Sequence, residues 1–134
     1  MPCQIQIYRL EEFARFSESG TLDVERSKEL IRKIVAASSA RSIDRILVDL
    51  RKTTVEADRT FADILDIAAE FTRWLPVFHG KVANVIPADP NRVAMAQQLK
   101  NVAGVDSSVY EIFTTFEDAI DWLSEIEEDR TYCP

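Results

Sequence analysis

The sequence predicts an α/β domain, with a mostly parallel sheet of about five strands and four helices in the order β-β-α-β-α-β-α-β-α. Three observations predict it. Single apolar strand-like runs alternate with single amphipathic helical stretches along most of the chain. Ile46-Leu47-Val48-Asp49-Leu50 is nearly all apolar, as in a central strand covered on both faces. A helical stretch then separates it from the next strand, Lys81–Ile86, which calls for a crossover and so for parallel pairing.

Residues 3–9 alternate, with Cys3, Ile5, Ile7 and Arg9 on one side and Gln4, Gln6 and Tyr8 on the other, which reads as the first strand. Residues 12–19, with Phe13 and Phe16, read as a second strand ending at Ser19-Gly20. The two are close enough in sequence to form an antiparallel hairpin. Thr21 or Asp23 then caps a helix of about 22–38, whose apolar stripe is Leu30, Ile31, Ile34 and Val35. The strand at Ile46–Leu50 follows, and Arg51 to Ala57 reads as a polar loop. A helix from about Asp58 to Trp74 has Phe61, Ile64, Leu65, Ala68 and Phe71 on one face and stops at Pro76. After Lys81–Ile86, Pro90 opens a helix to about Ala103, and Gly104 follows its end. Tyr110–Phe113 is a short strand. Thr115 caps the last helix, with Asp118 three residues on, and its buried face is Ala119, Ile120, Leu123 and Ile126.

The chain has 134 residues, a usual length for one domain, and no linker composition or internal repeat divides it. At 46 % apolar and 29 % charged it is neither disordered nor of low complexity. With 16 Lys and Arg against 23 Asp and Glu the net charge is −7, which repels a phosphate backbone and argues against general nucleic-acid binding. No apolar run approaches a membrane span and no secretory leader is recognisable, so a cytoplasmic protein is expected. Cys3 and Cys133 stand at opposite ends and read as free thiols.

Catalytic signatures are missing. No glycine-rich phosphate loop and no nucleophile elbow occurs, and His79 is the single histidine, between Phe78 and Gly80. No Cys or His pair has zinc spacing. These absences predict no enzyme activity, no metal and no cofactor. Charge is uneven: residues 26–59 hold nine Lys or Arg and five Asp or Glu, whereas 111–134 hold eight acids and one arginine. That pattern fits solvated helix faces or a surface for a complementary partner. Trp74-Leu75-Pro76-Val77-Phe78 is the most apolar connection. Trp74, Leu75, Val77 and Phe78 either cap the core or form a contact in a homodimer.

The stretch Ile46–Arg51, followed by a polar loop and Asp58-Arg59-Thr60-Phe61, resembles the STAS domain family, which includes the bacterial anti-anti-sigma factors. The closer likeness is to its SpoIIAA-like, or STAS/SEC14, branch. Tyr110–Phe113 and Phe116 to Leu123 resemble that branch's last strand and helix, and Lys81–Ile86 its preceding strand. The resemblance implies a regulatory, protein-interaction module with a kinase or anti-sigma type of partner. It places Thr60 at the phosphoacceptor position, supported by Asp49, Asp58 and Arg59. Arg59 and Phe61 replace small residues of the family pattern, and the loop is about one residue longer. With Asp58 as N-cap, Thr60 falls in the first turn of its helix. The alternative implied by the lipid-carrying relatives is a binder of a small apolar or lipid-like ligand. A lipid-sized site needs several hundred Å³, whereas a domain this short uses most of its apolar residues on its own core, which favours the interaction module.

Overall fold

The computed structural model describes residues 13–41, 43–56, 58–74, 76, 78 and 80–124. Eight elements alternate: β1 (Ala14–Leu22), α1 (Val24–Arg41), β2 (Arg45–Val55), α2 (Phe61–Trp74), β3 (Lys81–Val85), α3 (Pro90–Ala103), β4 (Tyr110–Phe113) and α4 (Phe116–Leu123). The four strands form one sheet in the order β1-β2-β3-β4, and all three pairings are parallel. The expected pairing of Ile46–Leu50 with Lys81–Ile86 is present, as Ile46 opposite Val82 and Val48 opposite Asn84. The expected first strand, residues 3–9, lies outside the described residues, as do Cys3, Leu75, Val77, His79, Ile126 and Cys133.

Sequential strand order explains the layers. Crossovers of one hand between neighbours place every connecting helix on the same face. Accordingly Leu30 and Ile34 of α1, Phe71 of α2 and Ala96 of α3 share one cluster with Ile46, Val48, Leu50, Val82, Ile86 and Tyr110. The other face is covered by α4 alone, where Ala119, Ile120 and Leu123 meet Leu47, Ala83 and Val85. Period-2 alternation in β2 feeds both cores, and Ile46 and Leu47 are fully buried on opposite sides.

Local chemistry sets the ends. The Asp23 carboxylate accepts from the Arg26 amide at 2.7 Å, which selects Asp23 rather than Thr21 as the cap of α1. Pro90 takes the first turn of α3. Gly104 ends it at φ 67°, a left-handed conformation, with its N–H directed to the Asn101 and Lys100 carbonyls. Thr115 caps α4 by accepting from the Asp118 amide at 3.2 Å.

Four boundary expectations are corrected. β1 does not stop at Ser19-Gly20: Gly20 takes φ 87° and the strand carries Leu22 into the core. Helix α1 continues past residue 38 to Arg41. The supposed polar loop after Leu50 is strand as far as Val55. Its alternation is hidden by a bulge, since the pairing advances from Ser17 to Ser19 on β1 but from Asp49 to Lys52 on β2. The slip exposes Arg51 and Lys52 and turns Thr53, 3 % exposed, inward. Finally, α2 starts at Phe61 and its N-cap is Thr60, not Asp58. Thr60 accepts from the Asp63 amide at 3.2 Å, and Asp63 accepts from the Thr60 amide at 3.0 Å. This reciprocal pair satisfies two donors at once, which Asp58, in the preceding turn, does not.

The buried face of α2 is also rotated from the expected one. Ile64, Ile67, Ala68 and Glu70 are buried, whereas Phe61 and Leu65 are 53 % and 45 % exposed. Ile67 and Trp74, not Phe61 and Leu65, complete the inward stripe with Ile64 and Phe71. Ile67→Ala is therefore expected to lose about 2–5 kcal/mol of stability in urea unfolding, as large-to-small core changes do. Leu65→Ala is expected to stay within about 0.5 kcal/mol, as solvent-facing changes do.

Candidate functional site

A cavity of about 130 Å³ lies between the sheet and helices α1, α2 and α3. Its walls are mostly aliphatic and aromatic. α1 contributes Leu30 and Ile34, α2 contributes Ile67 and Phe71, and α3 contributes Met95 and Leu99. It reaches from Arg59 and Arg92, beside the C-terminal ends of β2 and β3, to Trp74 and Val109 near the N-terminal ends of β3 and β4. The C-terminal ends of parallel strands are where open α/β sheets place ligands.

Besides Ser27, whose hydroxyl donates to the Asp23 carbonyl at 2.9 Å, four polar side chains interrupt the apolar lining. Arg92, 8 % exposed, donates to the Thr53 carbonyl at 3.1 Å and to the Thr53 hydroxyl at 2.7 Å. Burial, and then the charge of Arg59, hold its pKa below the ordinary arginine value, with Asp89 acting in the opposite sense. Arg59 reaches across from the turn before α2 and donates to the Leu22 carbonyl at 2.6 Å. Its Nε is buried without a hydrogen-bond partner among the described residues. Asn84 of β3 donates to the Tyr110 phenol oxygen at 2.7 Å, and its Oδ1 is likewise buried and unpartnered. Either orientation of that amide leaves one polar atom unsatisfied. Tyr110 is 4 % exposed, stands edge-on to Phe71 at 5.1 Å between ring centres, and is pushed up to about 12 by burial.

The bulge in β2 builds this arrangement. By turning Thr53 and Val55 to the helix-covered face, it supplies the hydroxyl and carbonyl that orient Arg92. Sequence reading missed Arg92, Asn84 and Tyr110. One signal was available for Arg92: a guanidinium two residues after Pro90 sits on the first turn of a helix whose neighbours, Val93 and Ala96, face the core.

The anticipated site residues do not gather in one place. Thr60 is exposed and caps α2, next to Arg59 in sequence, while the Arg59 side chain lines the cavity. Asp58 is exposed in the same turn. Asp49 points to the opposite face of the sheet. There it accepts from Arg15 at 2.9 Å and, through both carboxylate oxygens, from Arg51 at 2.9 and 2.8 Å. Both guanidinium groups also lie over the Phe116 ring, at 5.0 and 5.8 Å.

Of the apolar connection, Trp74 and Phe78 are half-buried. Phe78 packs on the core, and both residues line the cavity. The Trp74 indole N–H is committed to Glu70 at 2.6 Å, and Glu70 is in turn held by Arg32 at 3.1 Å. Several cations of the basic segment are answered within the chain: Arg26 by Glu18, Lys28 by Asp66 and Glu25, and Arg32 by Glu70. Among the described residues, no helix is long and apolar enough to cross a membrane. No family model matches the chain, and comparison with curated proteins and with solved structures finds no match.

The Asp49 cluster makes stability depend on pH. The hydrogen bonds from Arg51, and then from Arg15, hold the Asp49 carboxyl well below the usual carboxylate range. The unfolded chain therefore takes up the proton first as pH falls. The stabilisation is complete above the unfolded value, about 4, and is lost at lower pH. Asp49→Asn is expected to destabilise the protein at pH 7 by about 1–2 kcal/mol, a modest figure because the arginine side chains are 47 % and 40 % exposed. Unfolding curves of the two proteins should converge as pH drops below about 4.

Proposed function

We propose that this protein is a STAS-like binding module, not an enzyme, whose cavity takes a small apolar or amphipathic ligand. The observation that carries this reading is the cavity itself: a mostly apolar lining around about 130 Å³, interrupted by the side chains of Arg59, Arg92, Asn84 and Tyr110. Empty interior space in proteins is ordinarily lined by apolar groups alone. The lining thus has the composition of a binding site, with a few oriented polar groups in an apolar wall. Its size supports a ligand near benzene in bulk rather than a phospholipid, since a cavity of about 150 Å³ admits benzene. The polar groups support binding over chemistry. The guanidinium groups stay charged, and a phenol pushed up to about 12 stays protonated near neutral pH.

The neutral probe 1-hexanol tests the reading. It is expected to bind the wild-type protein by calorimetry, to perturb Trp74 fluorescence and to raise the melting temperature with concentration. Ala96, half-buried on α3, lines the cavity. Ala96→Phe should fill it and abolish hexanol binding while the protein remains folded. A wild-type protein indifferent both to hexanol and to its amphipathic analogue hexanoate would refute the proposal.

A second reading, regulation by phosphorylation with a kinase-type partner, is favoured by the exposure of the Thr60 hydroxyl at an α2 N-cap. Thr60→Ala removes that cap and should cost about 1 kcal/mol. Mass spectrometry of protein isolated from its native cells should find phosphate on Thr60 if the switch operates. An unmodified Thr60 under all growth conditions would count against it.

A further inference from the structure

The least expected feature of the cavity is a pair of cations that hold no carboxylate at ion-pair distance among the described residues. The chain carries 23 acids against 16 basic residues, so carboxylates are plentiful. Arg15, Arg26, Arg32, Arg51, Lys28 and Lys100 each hold a carboxylate within ion-pair distance. Arg59 and Arg92, which share the cavity wall, hold none among the described residues. Arg92 is more than nine-tenths buried, and its guanidinium donates to two neutral oxygens of Thr53. Arg59 spends one bond on the neutral Leu22 carbonyl and leaves Nε, fully buried, without a partner. A buried cation without an ion-paired acid is costly, and a second cation beside it raises that cost; the Asp89 carboxylate offsets part of it for Arg92 from beyond ion-pair distance.

Position adds to the imbalance. Arg59 immediately precedes Thr60, the N-cap of α2, and Arg92 lies in the first turn of α3. Both helix N-termini bring the positive ends of their dipoles to this end of the sheet. The far end of the cavity, at Phe71, Trp74, Leu99 and Val109, is apolar apart from the indole N–H, which Glu70 already occupies. The site is therefore cationic at one end and greasy at the other.

We propose that the ligand is a short-chain organic acid, with its carboxylate between Arg59 and Arg92 and its apolar chain directed along the cavity toward Trp74. This inference rests on the cavity being a ligand site. The carboxylate supplies the missing counter-charge, and a guanidinium fork matches its two oxygens. The volume limits the chain to about six carbons, by comparison with the cavity that accepts benzene.

The test compares hexanoate, 1-hexanol and hexylammonium on the intact protein by calorimetry at constant ionic strength. Hexanoate is expected to bind at least about tenfold tighter than 1-hexanol, the ratio that a charge-assisted hydrogen bond of about 1.4 kcal/mol or more produces. Hexylammonium should show no binding. In Arg59→Met and in Arg92→Met, hexanoate should fall to the affinity of the alcohol while 1-hexanol keeps its wild-type value, which shows that the cavity survives. If Arg92→Met fails to fold after losing its bonds to Thr53, the Arg59→Met result decides. Hexanoate no tighter than hexanol in the wild type, or a preference for the acid that persists in both variants, overturns the acid while leaving the cavity reading intact. Failure of hexanol and hexanoate alike overturns the cavity reading.

Discussion

The alternation of β2, with its single interruption, is the constraint on which the rest of the molecule depends. Ile46, Val48 and Leu50 face the three crossover helices, and Leu47 faces α4, so one strand supplies both hydrophobic layers. Asp49, on the α4 side, is carried out to Arg15 and Arg51. Were the period kept, Lys52 and Thr54 would follow Leu50 on the helix-covered side, and Thr53 would point away from Arg92. The extra residue after Leu50 reverses that parity. A bulge thus converts a core strand into the wall of a site, and its signature is the Thr53 hydroxyl, which donates back to the Leu50 carbonyl at 2.6 Å.

The cavity follows from helix placement. Three helices on one face of four sequential strands must span the sheet with side chains of limited length, and α2 lies between α1 and α3 with direct contacts to both. On the opposite face a single helix suffices, because Ala83 and Ala119 are small and both fully buried, so α4 sits close against β3. The helix-covered face, with the larger core cluster, also retains the cavity.

Much of the fold was legible. Continuous apolar runs at Ile46–Leu50 and Lys81–Ile86 reveal two-sided burial, and Pro90, Gly104 and Thr115 mark ends by mechanisms that operate within a few residues. What was not legible depended on partners distant in sequence. The bulge after Leu50 is defined by pairing with Ser17 and Ser19, and no local pattern announces it. Phe61 and Leu65 have the same hydrophobicity as buried residues, and only the packing of α2 between its neighbours leaves them in solvent. Thr60 over Asp58 as N-cap was readable in principle, since Thr60 with Asp63 three residues on is a variant of the capping box. The site was the least legible part. Arginines in loops and first turns are ordinarily solvated, and Arg59 and Arg92 become unusual only when the fold brings both to one cavity wall, Arg92 buried and Arg59 half-buried, with no carboxylate at ion-pair distance.

The adjacency of Arg59 and Thr60 links the two functional readings in one turn of chain. Arg59 sends its side chain inward to the Leu22 carbonyl and the cavity, whereas Thr60 faces solvent and holds the first turn of α2 through Asp63. These are separate interactions on consecutive residues, so neither can shift far without the other. An anion held by Arg59 in the proposed site would favour the inward position of that side chain, and so would steady the turn that presents Thr60. A phosphate on Thr60 acts in the reverse direction. It would meet the amides of the α2 N-terminus and draw the Arg59 cation outward, against the neighbouring carboxylates of Glu56, Asp58 and Asp63. The two proposed readings therefore draw on one guanidinium, and any coupling between them would run through Arg59.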